Sequence, residues 1–140
     1  MSWENVFDYF NAKLSSVGCA EWEVSFDEEN IPNTLIDKAF VQSVVSITGV
    51  ETMNQAIETN LSHEVRIFYK GFRNPREAEK EALAKASEAV AACVAHTAQV
   101  NPFKGVYFTD LSLEPLSDAV NDNIIVAIIR FDVRMFLCID

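Results

Sequence analysis

The chain has 140 residues, of which 49% are hydrophobic and 23% are charged, and it carries a formal net charge of −10 at pH 7. This length and apolar content suffice for one sizeable core, and no linker-like run divides the chain, so we predict a single domain over residues 1–140. The acidic excess repels a phosphate backbone, which argues against a function in reading nucleic-acid sequence.

Features of secreted and membrane proteins are not expected. The first fifteen residues lack the basic start and apolar block of a signal peptide. Arg130, Asp132 and Arg134 interrupt the most apolar stretch, residues 124–139, and each costs roughly 3 kcal/mol to insert into lipid. The number and spacing of the cysteines indicate reduced thiols in a cytosolic protein rather than a disulfide framework. They are Cys19, Cys93 and Cys138.

The N-terminal part predicts a helix followed by a short strand. Apolar residues recur at spacings of three and four over residues 3–17, with Ser2 placed to cap the helix and Gly18 to end it. Residues 22–26 then alternate between apolar and polar, which is the period of a strand. Acidic residues concentrate over positions 4–29, either as a solvated face or as a surface toward a basic partner or a passage for DNA.

The next part predicts two long strands around a loop. Residues 34–47 are rich in β-branched side chains, which predicts a strand covered in part on both faces. Residues 48–60 are polar and aperiodic and predict a loop of about a dozen residues, a length usually associated with function or mobility. Alternation over residues 61–69 predicts the second strand, with His63 on its apolar face.

A second helix is predicted to begin at a strong start signal. Asn74 is a capping side chain, Pro75 occupies the first turn, and Glu77 is placed to close a capping box. The helix is predicted to run to about Thr97. Its predicted buried side chains, rich in alanine, are Ala78, Ala82, Leu83, Ala86, Val90, Cys93 and Val94.

The last part predicts two more strands, over residues 106–114 and 124–138. In the latter, every second residue from Ile125 to Leu137 is apolar, so one face is committed to a core. At about 3.3 Å per residue this strand spans roughly 50 Å, so we expect a bend or a protrusion that meets another subunit. The predicted fold is α+β: a mainly antiparallel sheet of about four long strands, with the N-terminal helix and the second long helix packed on it.

Residues that carry chemistry do not cluster in the sequence. His63 and His96 are predicted to have packing or surface roles, and the cysteines lack metal or redox spacing. The glycines stand alone, which argues against a phosphate-binding loop. We therefore predict no catalytic, cofactor-binding or metal-binding residues, and no enzymatic activity.

Three arginines lie on strand faces. Arg66, Arg130 and Arg134 can pair with Glu64 and Asp132 inside the sheet, or with acidic residues of a neighbouring subunit. The other residues on these strand faces are apolar or acidic, and of the two arrangements the in-sheet pairing is favoured.

The order of these predicted elements, over residues 3–17, 24–47, 61–69, 74–97 and 106–138, resembles the tail terminator (tail completion) subunits of long-tailed bacteriophages. The phrase FDEENIPNTLIDKAF looks like the segment that leads such subunits into their first long strand. The resemblance implies a non-catalytic virion protein without a cofactor, assembled in the bacterial host cytoplasm. It also implies a homo-oligomeric ring, hexameric in that family, which stops growth of the tail tube and meets the neck of the head while DNA passes through.

The resemblance also implies which surfaces make contacts. Exposed loops meet the tail tube protein below and the neck or head-completion protein above, and sheet edges and hairpins pair between copies. The predicted contact residues are Met53, Ile57, Phe72, Arg73, Leu116 and Val120, with Arg130 and Arg134 as candidate bridges between subunits.

Two alternative functions fit the same sequence. Head-completion and neck subunits are also small, acidic and ring-forming. From a different class, an α+β sheet backed by helices can be a ligand-binding module or a cofactor-free enzyme, with a pocket lined by Trp22, Tyr69 and Tyr107. Assembly distinguishes the classes, because the module functions as a monomer or dimer and a terminator forms rings.

Overall fold

The computed structural model describes residues 3–22, 37–51, 56–70, 75–95, 105–116 and 124–138. Within them the chain forms two helices and one mixed sheet of five strands, so the fold class is α+β, as predicted. In chain order the elements are α1 (Asn5–Ser15), β1 (Ala20–Glu21), β2 (Ala39–Glu51), β3 (Ala56–Tyr69), α2 (Pro75–Cys93), β4 (Gly105–Leu116) and β5 (Ile124–Cys138).

The strand order in the sheet is β1-β2-β3-β5-β4. The four long strands pair antiparallel, but β1 pairs parallel with β2. The predicted mainly antiparallel sheet of about four long strands is therefore corrected to a mixed sheet of five strands. The fifth strand is two residues long. It forms because the Ala20 N–H donates to the carbonyl oxygen of Lys38 and the Trp22 N–H to that of Phe40. The predicted strand over residues 22–26 falls mostly outside the described residues.

The predicted loop over residues 48–60 is wrong, because β2 and β3 continue as a paired hairpin. Thr48 lies opposite Asn60 and Gly49 opposite Thr59. The sequence pattern did not indicate this pairing because the side chains here are mostly polar and do not alternate, whereas the pairing is made by backbone hydrogen bonds. A β-bulge between Val44 and Ser46 also changes the phase of β2, so Val44 and Ile47 share a face although they are three residues apart.

The prediction for β5 is confirmed in its bounds and its burial. Alternate residues on it are buried: Ile125, Ala127, Ile129, Phe131, Val133 and Met135. The strand pairs with β3 as far as Cys138, but with β4 only as far as Arg134. Its last residues therefore project past the described start of β4, which accounts for the excess length. Contact of this projection with another subunit stays a prediction.

Helix α1 packs a single apolar stripe on the sheet, with Val6, Phe10 and Leu14 buried. Gly18 ends the helical turns that follow α1, as predicted, with a φ of 86°. The Cys19 N–H donates to the Leu14 carbonyl oxygen at 3.0 Å, the backbone reversal that a left-handed glycine permits after a helix. This reversal brings the chain directly to β1. The predicted cap, Ser2, lies outside the described residues.

Helix α2 begins at Pro75 as predicted but ends at Cys93 rather than Thr97. It ends there because Ala95 exchanges two backbone hydrogen bonds with Val106, at 2.9 and 2.7 Å. Its buried face is a seam of small side chains: Ala78, Ala82, Ala86, Ala89 and Cys93. Leu83 is 47% exposed, so its predicted burial is wrong. It lies one position past Ala82, which turns it about 100° away from the seam.

Both helices lie on the same face of the sheet, which we call the helix face, and bury the main core there. The other face, the open face, carries a smaller apolar cluster at one end and charged side chains in the middle. The cluster contains Ala39, Phe68, Ile124 and Val126, with Trp22, Val41 and Ile128 packed against it. No helix in the described part of the chain is long and apolar enough to cross a membrane.

Candidate interaction surface

Exposed large apolar side chains concentrate at the two lateral edges of the sheet. Among the described residues they are Trp3, Val44, Val45, Ile47, Leu83, Phe108 and Phe136. Strand β2 carries Val44, Val45 and Ile47, and β4 carries Phe108. Leu83 of α2 lines the same groove as Phe108. Most of the exposed apolar surface therefore borders the two outer long strands.

The β2 edge comprises residues 41–51, and within the described part of the chain it lacks the usual protection of an edge strand. Strand β1 covers only Ala39 and Phe40, and no other described strand pairs with the outer side of β2. Its sequence from Val41 to Gly49, VQSVVSITG, contains neither a charge nor a proline. Natural proteins place such residues on edges to prevent pairing with other chains. An edge without them is a candidate association site.

The β4 edge comprises residues 107–116 and borders an apolar groove. Ala95 occupies the outer side of β4 at Val106, and beyond that point no described strand pairs with it. The groove between α2 and β4 has a volume of about 670 Å³. Its lining is Leu83, Ala84, Ser87, Val90, Ala91, Val94, Phe108 and Leu111. Asp110, Glu114 and Pro115 give the β4 edge only partial protection.

A single cross-strand row on the helix face joins the two edges. In register it runs from Val44 through His63 and Phe131 to Phe108. The ring of Phe10 in α1 stacks on His63, with centroids 4.5 Å apart, and packs at a tilt against Phe131, with centroids 4.9 Å apart. The end residues are 37% and 45% exposed, so α1 covers the middle of the row and leaves both ends open.

The charged side chains on the open face pair within the subunit, as predicted. Glu64 is 7% exposed and accepts hydrogen bonds from Arg66 Nε at 3.1 Å and Arg130 Nε at 3.4 Å. With Asp110 and Glu114 these residues border a concavity of about 450 Å³. Opposite charges therefore offset each other across this face.

Arg134 lies farther along β5 and makes two contacts of its own. Its Nε is 3.6 Å from Asp132 Oδ2, and its guanidinium carbon is 4.6 Å from the centroid of the Tyr107 ring. The Tyr107 ring also covers Gly105, where an added Cβ would come within 2.7 Å of ring carbon Cε2. An alanine at position 105 would thus displace the ring on which Arg134 rests.

The predicted contact residues are dispersed in the structure. Ile57 is half-buried on β3, and Leu116 is the last residue of β4, opposite Ile124. Arg130 and Arg134 are exposed on the open face. Their contacts with other subunits stay predictions. Met53, Phe72, Arg73 and Val120 lie outside the described residues.

Sequence reasoning missed Val44, Ile47, Leu83 and Phe108 as surface residues. Their apolar side chains fit strand and helix interiors equally well, and the bulges at Val44/Ser46 and Phe108/Asp110 disturb the alternation that assigns a face. The absence of charge over residues 41–49 was the available sequence signal for an interaction edge, because edge strands usually carry charged residues that prevent pairing with other chains.

His63 has a packing role, as predicted. Its Nε2 lies 2.8 Å from Gln42 Oε1, while Gln42 Nε2 donates to the Phe7 carbonyl oxygen at 3.3 Å. The Gln42 oxygen therefore accepts the Nε2 proton. Nδ1 carries no proton and has no hydrogen-bond partner in the described part of the chain. Burial lowers the pKa of His63 from 6.5 to about 4.

The described thiols are also buried. Burial raises the pKa of Cys93 to about 12 and raises that of Cys19 as well, so both are neutral at pH 7. Over the described ranges, no group of three or more His, Cys, Asp or Glu side chains is arranged to hold a metal ion. His96 and the Cys138 side chain lie outside the description.

The pocket predicted from Trp22, Tyr69 and Tyr107 does not form. Tyr69 is 1% exposed and belongs to the helix-face core. Trp22 packs against the apolar cluster at one end of the open face. Tyr107 lies opposite Asp132 of β5, about 23 Å along that strand from the residue opposite Tyr69. Aromatic residues far apart in a sequence carry no information about shared faces, which is why the grouping was wrong.

No protein-family model matches the chain, and no curated protein matches its sequence. Its function is therefore proposed from the residues and the geometry given above.

The ion pairs lead to a stability prediction. Replacing Arg130 with glutamate is expected to lower the free energy of unfolding by about 2 kcal/mol, because it places a carboxylate beside the nearly buried Glu64. The same change at Arg134 is expected to cost at most about 1 kcal/mol, because its partner Asp132 is partly solvated. Urea unfolding of both variants measures the difference in stability loss. Equal losses would contradict the pairing of Arg130 with a nearly buried Glu64.

Proposed function

We propose that the chain is a structural subunit of a bacteriophage tail that forms a homo-oligomeric ring, a hexamer as in the family it resembles, on the end of the tail tube. The ring ends tube growth and joins the tail to the neck of the head. The observation that carries the proposal is that β2 and β4 lie on opposite sides of one sheet and expose apolar side chains, and that no described strand pairs with the outer side of β2 beyond Phe40 or of β4 beyond Val106. Two different edges on one subunit permit head-to-tail contacts, and such contacts generate rings when the rotation closes.

The chemistry of the described side chains supports a structural role. The charged groups at the centre of the open face pair within the subunit, and the described histidine and thiols are buried and neutral at pH 7. The order of helix, hairpin, helix and closing strands agrees with the resemblance to tail terminators. The net charge of −10 suits a ring through which DNA passes without binding, because acidic walls repel the phosphate backbone.

Imaging and mass measurement together test the proposal. The purified chain is mixed with phage tail tubes and imaged by negative stain, and its mass in solution is measured in parallel. We expect rings or capped tube ends, with untreated tubes as the control. Binding to head or neck particles but not to tubes would indicate a head-completion subunit. A compact monomer that leaves tube ends bare would contradict the structural proposal altogether.

The arginine variants then test whether Arg130 and Arg134 bridge subunits. If they do, charge reversal is expected to reduce ring assembly by more than the accompanying loss of stability explains. Melting temperature and the fraction of assembled chain are compared at one temperature well below unfolding. Assembly losses that merely follow the stability losses would assign both arginines to the in-sheet pairs alone.

A further inference from the structure

We propose that neighbouring copies of this chain join edge to edge, with β2 of one copy pairing with β4 of the next. Val44 and Ile47 of β2 then enter the apolar groove between α2 and β4 of the neighbour. This inference rests on the proposed function, because it names the surface through which the ring forms. Its occupant is a second copy of the same chain.

The directions of the strands allow β2 of one copy to pair antiparallel with β4 of the next. Each of the three neighbouring pairs β2–β3, β3–β5 and β5–β4 is antiparallel, so β2 and β4 run in opposite directions. A second copy placed alongside in the same orientation therefore presents its β2 antiparallel to β4. The alternation of strand direction continues without interruption across the joint, and antiparallel strands pair through short, well-aligned hydrogen bonds.

The side chains on the two edges also match. Val44 and Ile47 lie opposite His63 and Leu61, so they belong to the helix face. The groove opens on the same face, since Phe108 and Leu111 lie opposite Phe131 and Ile129. In a sheet that continues from copy to copy, helix-face residues of β2 therefore stand beside helix-face residues of β4. Exposed apolar side chains on one edge meet an apolar groove that no described residue fills on the other.

The occupied parts of each edge determine the register. Ala95 pairs with β4 at Val106, and β1 pairs with β2 at Ala39 and Phe40. If two copies stand side by side without a shift along the strands, the parts of β2 and β4 that described residues leave uncovered therefore overlap only over a short stretch. A shift of about four residues, roughly 14 Å, lets the free stretches overlap. Across four strands spaced about 4.8 Å apart, this shift corresponds to a strand tilt of roughly 35°, the tilt found in closed barrels.

The area of contact shows why the groove is part of the joint. The part of β4 that no other described strand pairs with on its outer side, residues 107–116, is about 34 Å long, and with a thickness of roughly 10 Å it buries about 350 Å² on each partner. Stable interfaces bury roughly 800 Å² on each partner. Edge pairing alone is therefore too small, and filling the groove beside Leu83, Val90 and Phe108 supplies the additional apolar contact.

Paired cysteine substitutions test the joint in the full chain. Ile47→Cys is combined in turn with Phe108→Cys, Leu111→Cys or Leu113→Cys, and each double variant is oxidised at a concentration at which the unmodified chain assembles. We expect at least one combination to give a ladder of disulfide-linked multimers beyond the dimer, because each subunit carries both halves of the joint. Thr48→Cys, which lies next to Ile47 but on the open face, replaces Ile47→Cys in the matched controls and is expected to give no ladder.

The outcomes separate this inference from the proposed function. Rings without a ladder in any of the combinations would overturn the edge-to-edge joint and leave the ring proposal standing. Dimers that form in variants with one added cysteine, but not in the unmodified chain with its three native cysteines, would overturn it in favour of a two-fold contact between identical edges. A ladder from chains that leave tube ends uncapped would support the joint and contradict the tail function.

Discussion

Replacing Phe10 with alanine is expected to lower the free energy of unfolding by about 3–5 kcal/mol, the usual cost of removing a buried phenylalanine ring. Phe10 is fully buried, and its ring stacks on His63 and packs on Phe131. Removing it opens a cavity where α1 meets the sheet. Because small domains are stable by only about 5–15 kcal/mol, urea unfolding should show a large fall in the midpoint.

Phe108→Ala is the matched control for this prediction. Phe108 lies on the same cross-strand row but is 45% exposed, so its replacement is expected to cost at most about 1 kcal/mol. The pair also separates folding from association, because the Phe108 variant should remain folded while its assembly weakens. Losses of equal size at the two positions would contradict the assignment of Phe10 to the core.

Acidification from pH 6.5 to pH 4 is expected to remove about 3 kcal/mol of stability through His63 alone. The pKa of His63 is about 4 in the folded chain, compared with 6.5 for a histidine side chain exposed to water. Between these values the unfolded chain binds a proton that the folded chain does not, so stability is complete above pH 6.5 and decreases as the pH falls. Below about pH 4 both states are protonated and this contribution no longer changes.

A His63→Phe variant isolates this effect from the titration of carboxylates. Phenylalanine keeps an aromatic ring beside Phe7 and Phe10 but carries no titratable group, and it leaves Gln42 Oε1 without its donor. At neutral pH the variant is expected to lose about 1 kcal/mol. Urea unfolding at several pH values should show a shallower decline for the variant, and parallel declines would contradict the neutral, buried state of His63.

Several elements of the fold were predictable because local patterns determine them. The alternation in β5 committed one face to a core, and the sheet buries that face. Pro75 started α2, and Gly18 ended the first helical segment through its positive φ. In each case residues within a few positions of one another carry the physical cause, whether side-chain periodicity, a missing N–H or a left-handed backbone.

The errors arose where the cause lies far away in the chain. Thr48 and Gly49 became strand residues because Asn60 and Thr59 lie opposite them, although their own side chains resemble a loop. Helix α2 stopped at Cys93 because Val106 captures the backbone of Ala95. Six predicted contact residues lie in or beside segments that the sequence predicts as loops or connections, namely Met53, Ile57, Phe72, Arg73, Leu116 and Val120. Local patterns of that kind do not identify the outer sides of β2 and β4, which no described strand covers beyond Phe40 and Val106.

By itself, the sequence determined that the chain is acidic, forms an α+β fold, contains a long one-sided strand, and lacks clustered chemistry along its length. Those properties follow from composition, charge and short-range periodicity, which do not depend on how the elements meet. The tertiary structure alone decided that β2 and β4 are the outer long strands, and that Val44 and Phe108 end a row whose centre Phe10 covers. An edge exists only relative to its neighbours, so the candidate surface emerges once strand order and register are known.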